Sequence, residues 1–202
     1  MPSLSYDQWL DYTFGLSSGE PCASGPYPGT PDDAFEHCGR FLRASREPLR
    51  AIPRAKAVVG LKAIPSIDGY GGLLSWPGFA YGKRTVLADA QVALFSDSFK
   101  DDGFDGSAFM WWEYLIGAEW DDGPAVRMDT TMCDYLIGVI EQIFKIGGRE
   151  CQMSALHGAN EVGPATTTGD VPAIVARLTA LAPPASGEVA LYAETVAEGN
   201  AP

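Results

Sequence analysis

The residues able to do chemistry in this chain are few and widely separated. There are two histidines, His37 and His157, and four cysteines, Cys22, Cys38, Cys133 and Cys151, none of them in C-x-x-C spacing. His157 follows Cys151 by six residues, roughly 240° around a helix, so the two cannot hold one metal ion from a single helical face. Beside Gly158, His157 reads as a helix-packing histidine or one that caps a helix C-terminus. The sequence therefore predicts no metal site and no cofactor, and purified protein is expected to hold no stoichiometric zinc or calcium.

Gly15-Leu16-Ser17-Ser18-Gly19 has the form of a nucleophile elbow, which needs a strand before it and a helix after it. Here a helical pattern precedes and a Pro/Gly-rich loop follows, so a helix end and a polar loop are expected. Asp97, Asp101, Asp102 and Asp105 gather carboxylates as a calcium loop does. With Gly106 at the sixth position, however, the third and twelfth positions are Gly103 and Trp112, neither a side-chain oxygen ligand. A solvated acidic loop with helix-capping duties is the expectation. Gly82-Lys83-Arg84-Thr85 lacks the earlier glycine of a phosphate-binding loop. How carboxylates from distant segments pair in space is not legible in sequence, which leaves chemistry by two carboxylates open.

Two patterns remain as binding features. Arg46, Arg50 and Arg54 are spaced by four and share one helical face unless Pro53 turns the chain first. They lie in a segment from Arg40 to Lys62 that holds seven basic residues and one acid, net +6, whereas the remainder has seven basic and 25 acidic residues, net -18. Such a strip attracts an acidic partner, and another copy of this chain is one; a homodimer is expected, weakened when the three arginines become Glu. Pairing with acids of the same chain is the plainer alternative. The second pattern is Trp76-Pro77-Gly78-Phe79-Ala80-Tyr81-Gly82, where Trp76, Phe79 and Tyr81 would anchor a pocket or an interface, or else plug the core.

The elements that position these residues read as helices. Leu10 and Phe14 follow Tyr6 at helical spacing before Gly15, and Thr30-Pro31-Asp32-Asp33 combines a cap, a first-turn proline and acids at the positive end of the dipole. Helical periodicity recurs over 45–52, 55–64, 85–99, a segment capped by Asp105 or Ser107, 129–146, 149–158, and segments capped by Asp170 and Ser186. No segment sustains a period of two. The expected fold is all-α: seven to nine helices in stacked antiparallel hairpins, a HEAT-like arrangement being one such stack, in one domain over 1–202.

Hydrophobic residues make up 46% and charged residues 20%, the balance of a packed globule. The net charge of -12 disfavours nucleic acid and anionic lipid as general partners. No apolar run reaches the ~18 residues of a membrane span, and the start lacks a signal-peptide pattern. A cytoplasmic setting with reduced cysteines is expected.

Met110-Trp111-Trp112-Glu113, the long helix ending in Gly147-Gly148, Cys151-Gln152-Met153-Ser154-Ala155-Leu156-His157-Gly158, and Leu191-Tyr192-Ala193 with Gly199-Asn200 together resemble a group of uncharacterised bacterial helical proteins over the second half of the chain. In that group the Ser-Ala-Leu-His-Gly run continues into a second glycine and histidine; here it reads Ala159-Asn160-Glu161, so a pairing of two histidines is lost. The resemblance implies an all-helical stacked-hairpin fold and transfers no functional residue. The leading functional expectation is a non-enzymatic helical protein that binds a protein partner or itself. The alternative is a small-molecule-binding protein or hydrolase with a pocket near 76–82.

Overall fold

A computed structural model describes residues 3–17, 28–64, 74, 78–116 and 128–201. Among these residues there are ten α-helices and no strand. The helices are α1 (Tyr6–Phe14), α2 (Pro31–Arg43), α3 (Arg46–Ala51), α4 (Arg54–Ala63), α5 (Tyr81–Leu94), α6 (Trp111–Ile116), α7 (Thr130–Ile146), α8 (Arg149–Val162), α9 (Val171–Leu181) and α10 (Gly187–Ala197). A π-helical turn, Phe95–Phe99, prolongs α5.

Local chemistry sets half of the ten starts. Ser5, Thr30, Asp129, Asp170 and Ser186 each accept a hydrogen bond from a first-turn N–H of α1, α2, α7, α9 and α10 respectively. Gly15 ends α1 in the left-handed conformation, so the serine motif at 15–19 begins as a helix stop, as expected. Pro53 divides the basic stretch into α3 and α4.

The apolar residues form one cluster running from Trp9 to Val196. α8 is its hub and packs against α6, α7, α9 and α10. Nine of its residues are buried, from Cys151 to Val162, as expected of a helix covered on nearly every side. α7 and α8 meet as a hairpin through Gly147 and Gly148, whose φ values of 75° and 81° suit glycine and penalise other residues. Gln152 ties α8 to the α9–α10 connection: its amide donates to the Pro183 carbonyl (3.0 Å) and its oxygen accepts from Ala185 N–H (2.6 Å).

At the other end, Gly60 lets α4 close on α1. A Cβ there would stand 2.1 Å from Cδ1 of the fully buried Phe14. Gly60→Ala is expected to lower stability by about 1–3 kcal/mol through overpacking, read as a lower midpoint in urea unfolding; an unchanged midpoint would show that Phe14 has room to move.

Several boundaries differ from the sequence reading. α5 begins at Tyr81 rather than Thr85. Neither Asp105 nor Ser107 caps the next helix, because turns occupy 104–110 and α6 starts at Trp111. α8 does not stop near Gly158 but runs on to Val162. Cys38, Cys133 and Cys151 are free and buried, and burial raises the Cys133 thiol to about 11 and the Cys151 thiol to about 12, which keeps them protonated and unreactive. Among the described residues, no helix is long and apolar enough to cross a membrane.

Candidate functional site

The extension of α8 changes the setting of His157. Of the two readings, packing within a helix and capping its end, the structure has the first: His157 lies within α8, 1% exposed, with Glu161 one turn further on. Gly158 continues the helix because α6 needs its space: a Cβ would stand 2.8 Å from three atoms of the Trp112 indole. That indole donates to Ser154 Oγ (3.0 Å), which donates to the Ala108 carbonyl (2.6 Å). Trp112 is thereby fixed on α8, and the next residue, Glu113, is brought to the histidine.

Around His157 the contacts are specific. Its Nε2 lies 3.1 Å from Glu113 Oε1, and its Nδ1 shares a hydrogen bond with the Tyr192 hydroxyl at 3.2 Å. The Phe109 ring stacks on the imidazole at 4.2 Å between centroids. Glu161 completes the group: the ligand atoms of Glu113, His157 and Glu161 all lie within 4.8 Å of one another. Asn160 Nδ2 donates to Glu161 Oε1 (2.9 Å). Among the described residues, no Lys or Arg forms an ion pair with either carboxylate. The negative potential is felt by Tyr192, whose hydroxyl is pushed up to about 12, first by burial and then by Glu161 and Glu113. Tyr192 is therefore a protonated hydrogen-bonding group at neutral pH.

Four elements supply the cluster. α6 gives Glu113, α8 gives His157 and Glu161, α10 gives Tyr192, and the turn before α6 gives Phe109. That turn is strained, for Phe104 and Asp105 both have positive φ, 46° and 54°, at about 1 kcal/mol or more each. Arg54 clamps it: the guanidinium donates to Asp102 and to Asp105 (3.0 Å to the latter) and lies 5.4 Å from the Phe104 ring centroid. The Phe104 N–H donates to Asp102 (2.8 Å).

Arg54 holds the Asp102 carboxyl below its usual range, against the opposing effect of partial burial. A carboxyl depressed on folding contributes stability above its ordinary pKa and loses that contribution as pH falls through the depressed value. Stability followed by circular dichroism is expected to fall as pH drops below about 4, and more shallowly in Asp102→Asn, which lacks the titrating group. An identical acid limb in the variant would remove Asp102 from this role.

The three arginines do not act as one row. Arg46 and Arg50 are exposed on α3, with no ion pair among the described residues. Arg54, on α4, is engaged by Asp102 and Asp105 within the same chain, which is the plainer of the two expected uses. Lys56, on the same helix, donates to the Leu16 carbonyl (3.1 Å) and to that of Gly15 beyond the end of α1. Trp76 lies outside the described residues. Phe79 is buried, its ring 4.6 Å from that of Phe35, and Tyr81 is 41% exposed, its ring set edgewise against Tyr135. Near Phe79, an open groove of about 410 Å³ between α2 and α5 is lined by Phe35, His37, Arg40, Arg43, Lys83 and Val86 among others. Its cations are partly engaged: Arg40 lies 3.9 Å from the Tyr6 ring centroid, and Lys83 pairs with Asp32.

Of the residues singled out in the sequence, the structure thus brings His157 into this cluster and Arg54, Asp102 and Asp105 into the clamp on the turn before α6. Glu113, Glu161, Tyr192 and Phe109 were missed. The one local signal was His157-x-x-x-Glu161, the spacing of neighbours on a helical face. No family model, no curated protein and no solved structure gives a significant match to this chain.

Proposed function

We propose that this chain is a helical binding protein whose binding centre is the cluster of Glu113, His157, Glu161 and Tyr192. The observation that supports the reading is the buried imidazole held between a carboxylate and a phenol, with a second carboxylate close by. Burying such groups costs stability unless each is satisfied, and two carboxylates close together repel each other. The ligand that suits them is a cation or a molecule rich in hydrogen-bond donors.

Thermal unfolding in the presence of divalent metal ions, polyamines and amino sugars tests the reading. At a hundredfold excess over Kd, a ligand adds about 2.7 kcal/mol, or roughly 5–10 °C for a chain of this size. At least one class is expected to raise the midpoint of the wild type and not that of Glu113→Gln/Glu161→Gln. A flat response across all three classes, or an equal response in the variant, would sink the reading.

A further inference from the structure

We infer that Glu113, His157 and Glu161 form a site for a first-row divalent metal ion of the zinc class. The inference rests on the binding centre proposed above and names its ligand. It departs from the expectation drawn from sequence, because two of the three ligands come from helices 44 residues apart in the chain.

The donor set decides the class of ion. One imidazole nitrogen and two carboxylates suit zinc and its neighbours, whereas calcium takes six to eight oxygens and magnesium prefers oxygen and water. Around a tetrahedral ion with bonds near 2.0–2.1 Å, ligand atoms stand roughly 3.4 Å apart. Here the His157–Glu113 pair is already at 3.1 Å and all three ligand atoms are within 4.8 Å, so small side-chain rotations close the set. Two carboxylates and a neutral imidazole balance a doubly charged ion.

The surroundings match those of a ligand histidine. The nitrogen away from the cluster, Nδ1, meets Tyr192 Oη, and such an outer hydrogen bond fixes ring orientation and tautomer. Without metal, Nε2–H donates to Glu113 and the Tyr192 hydroxyl donates to Nδ1. When Nε2 takes the ion it gives its proton to water and Nδ1 takes one from water, so the ring stays neutral as the other tautomer and Nδ1–H donates to Tyr192 Oη. A hydroxyl makes this exchange by rotating, because it both donates and accepts. Asn160 supports Glu161, and Phe109 walls one face of the ring. Three protein ligands leave a further position for water or for an atom of a bound molecule, the pattern of an open rather than a purely structural site.

The experiment uses the full chain, stripped with a chelator and titrated with zinc by calorimetry, with cobalt absorption as a second readout. The expected result is one zinc per chain, with Kd raised at least tenfold in Glu161→Gln and in Glu113→Gln. Tyr192→Phe is expected to weaken binding by ~10–100-fold, the usual effect of losing an outer-shell partner. The cobalt spectrum is expected to lack thiolate charge-transfer bands, which separates this site from the cysteines. His157→Ala is informative only if it folds; the conservative Glu161→Gln keeps the test valid if it does not. Zinc binding that is absent, or equally tight in both glutamine variants, would overturn the assignment. If zinc fails while a polyamine or amino sugar still depends on Glu113 and Glu161, the metal falls and the binding centre stands; if every class fails, both fall.

Discussion

Trp112→Ala is expected to lower stability by about 3–5 kcal/mol, the range for truncating a buried large aromatic residue. Trp112 is fully buried, stacks on Phe95 at 6.2 Å and fills the space left by Gly158. Its loss also removes the indole partner of Ser154, whose remaining bond is to the Ala108 carbonyl. Because the same contact sets α6 on α8, the substitution is expected to misplace Glu113 and to weaken ligand binding beyond the stability loss. Urea unfolding reads the first effect and zinc titration at low temperature, where the variant is folded, reads the second. A loss below about 1 kcal/mol would mean that α6 is held by something other than this indole.

The second large effect is at the histidine. His157→Ala is expected to cost about 2–4 kcal/mol, since it opens a cavity under Phe109 and leaves the half-buried Tyr192 hydroxyl and Glu113 carboxylate without their imidazole partner. The Tyr192 hydroxyl loses its Nδ1 contact, and Glu113 keeps only its access to solvent. A variant as stable as wild type would show that the imidazole does not hold the fold here. A destabilised variant that still binds zinc one to one would remove His157 from the ligand set. The two outcomes are independent, so stability and binding are both measured.

How much of this was legible in sequence follows from the range over which each signal acts. Caps are local, and Thr30, Asp129, Asp170 and Ser186 mark helix starts that the structure bears out. The apolar stripe of α7 is equally local and was read to within a residue. Gly158 misled because glycine after a periodic run ordinarily signals a helix end; here it sits inside a helix to admit an indole from another helix, a tertiary requirement with no local trace. With the end of α8 misplaced, His157 read as either a helix-packing histidine or a cap, and Glu161 fell outside the helix. Ten helices stand among the described residues where seven to nine were expected; the breaks at Pro53 and before α6 are themselves legible in sequence as segment boundaries, because proline and capping signals are local. The strained turn at Phe104 and Asp105 was invisible for a related reason, since Phe carries no signal for positive φ and the Arg54 clamp comes from a distant helix.

The Arg46, Arg50 and Arg54 strip shows the same limit. Spacing of four suggested one face, yet Arg54 is drawn to Asp102 and Asp105 on the far side of Pro53. Arg46 and Arg50 remain exposed on α3, where a charged partner would meet them. Exposed pairs of this kind contribute only ~0–1 kcal/mol each. They orient an association more than they hold it.

The most direct test of the metal assignment at this binding centre is anomalous X-ray diffraction at the zinc edge from crystals of the zinc-treated full chain. The account predicts one strong peak about 2.0–2.2 Å from His157 Nε2 and from one carboxylate oxygen each of Glu113 and Glu161, with Tyr192 Oη still on Nδ1. Zinc-saturated crystals with no peak at this cluster, and with His157 Nε2 still donating to Glu113, would contradict it.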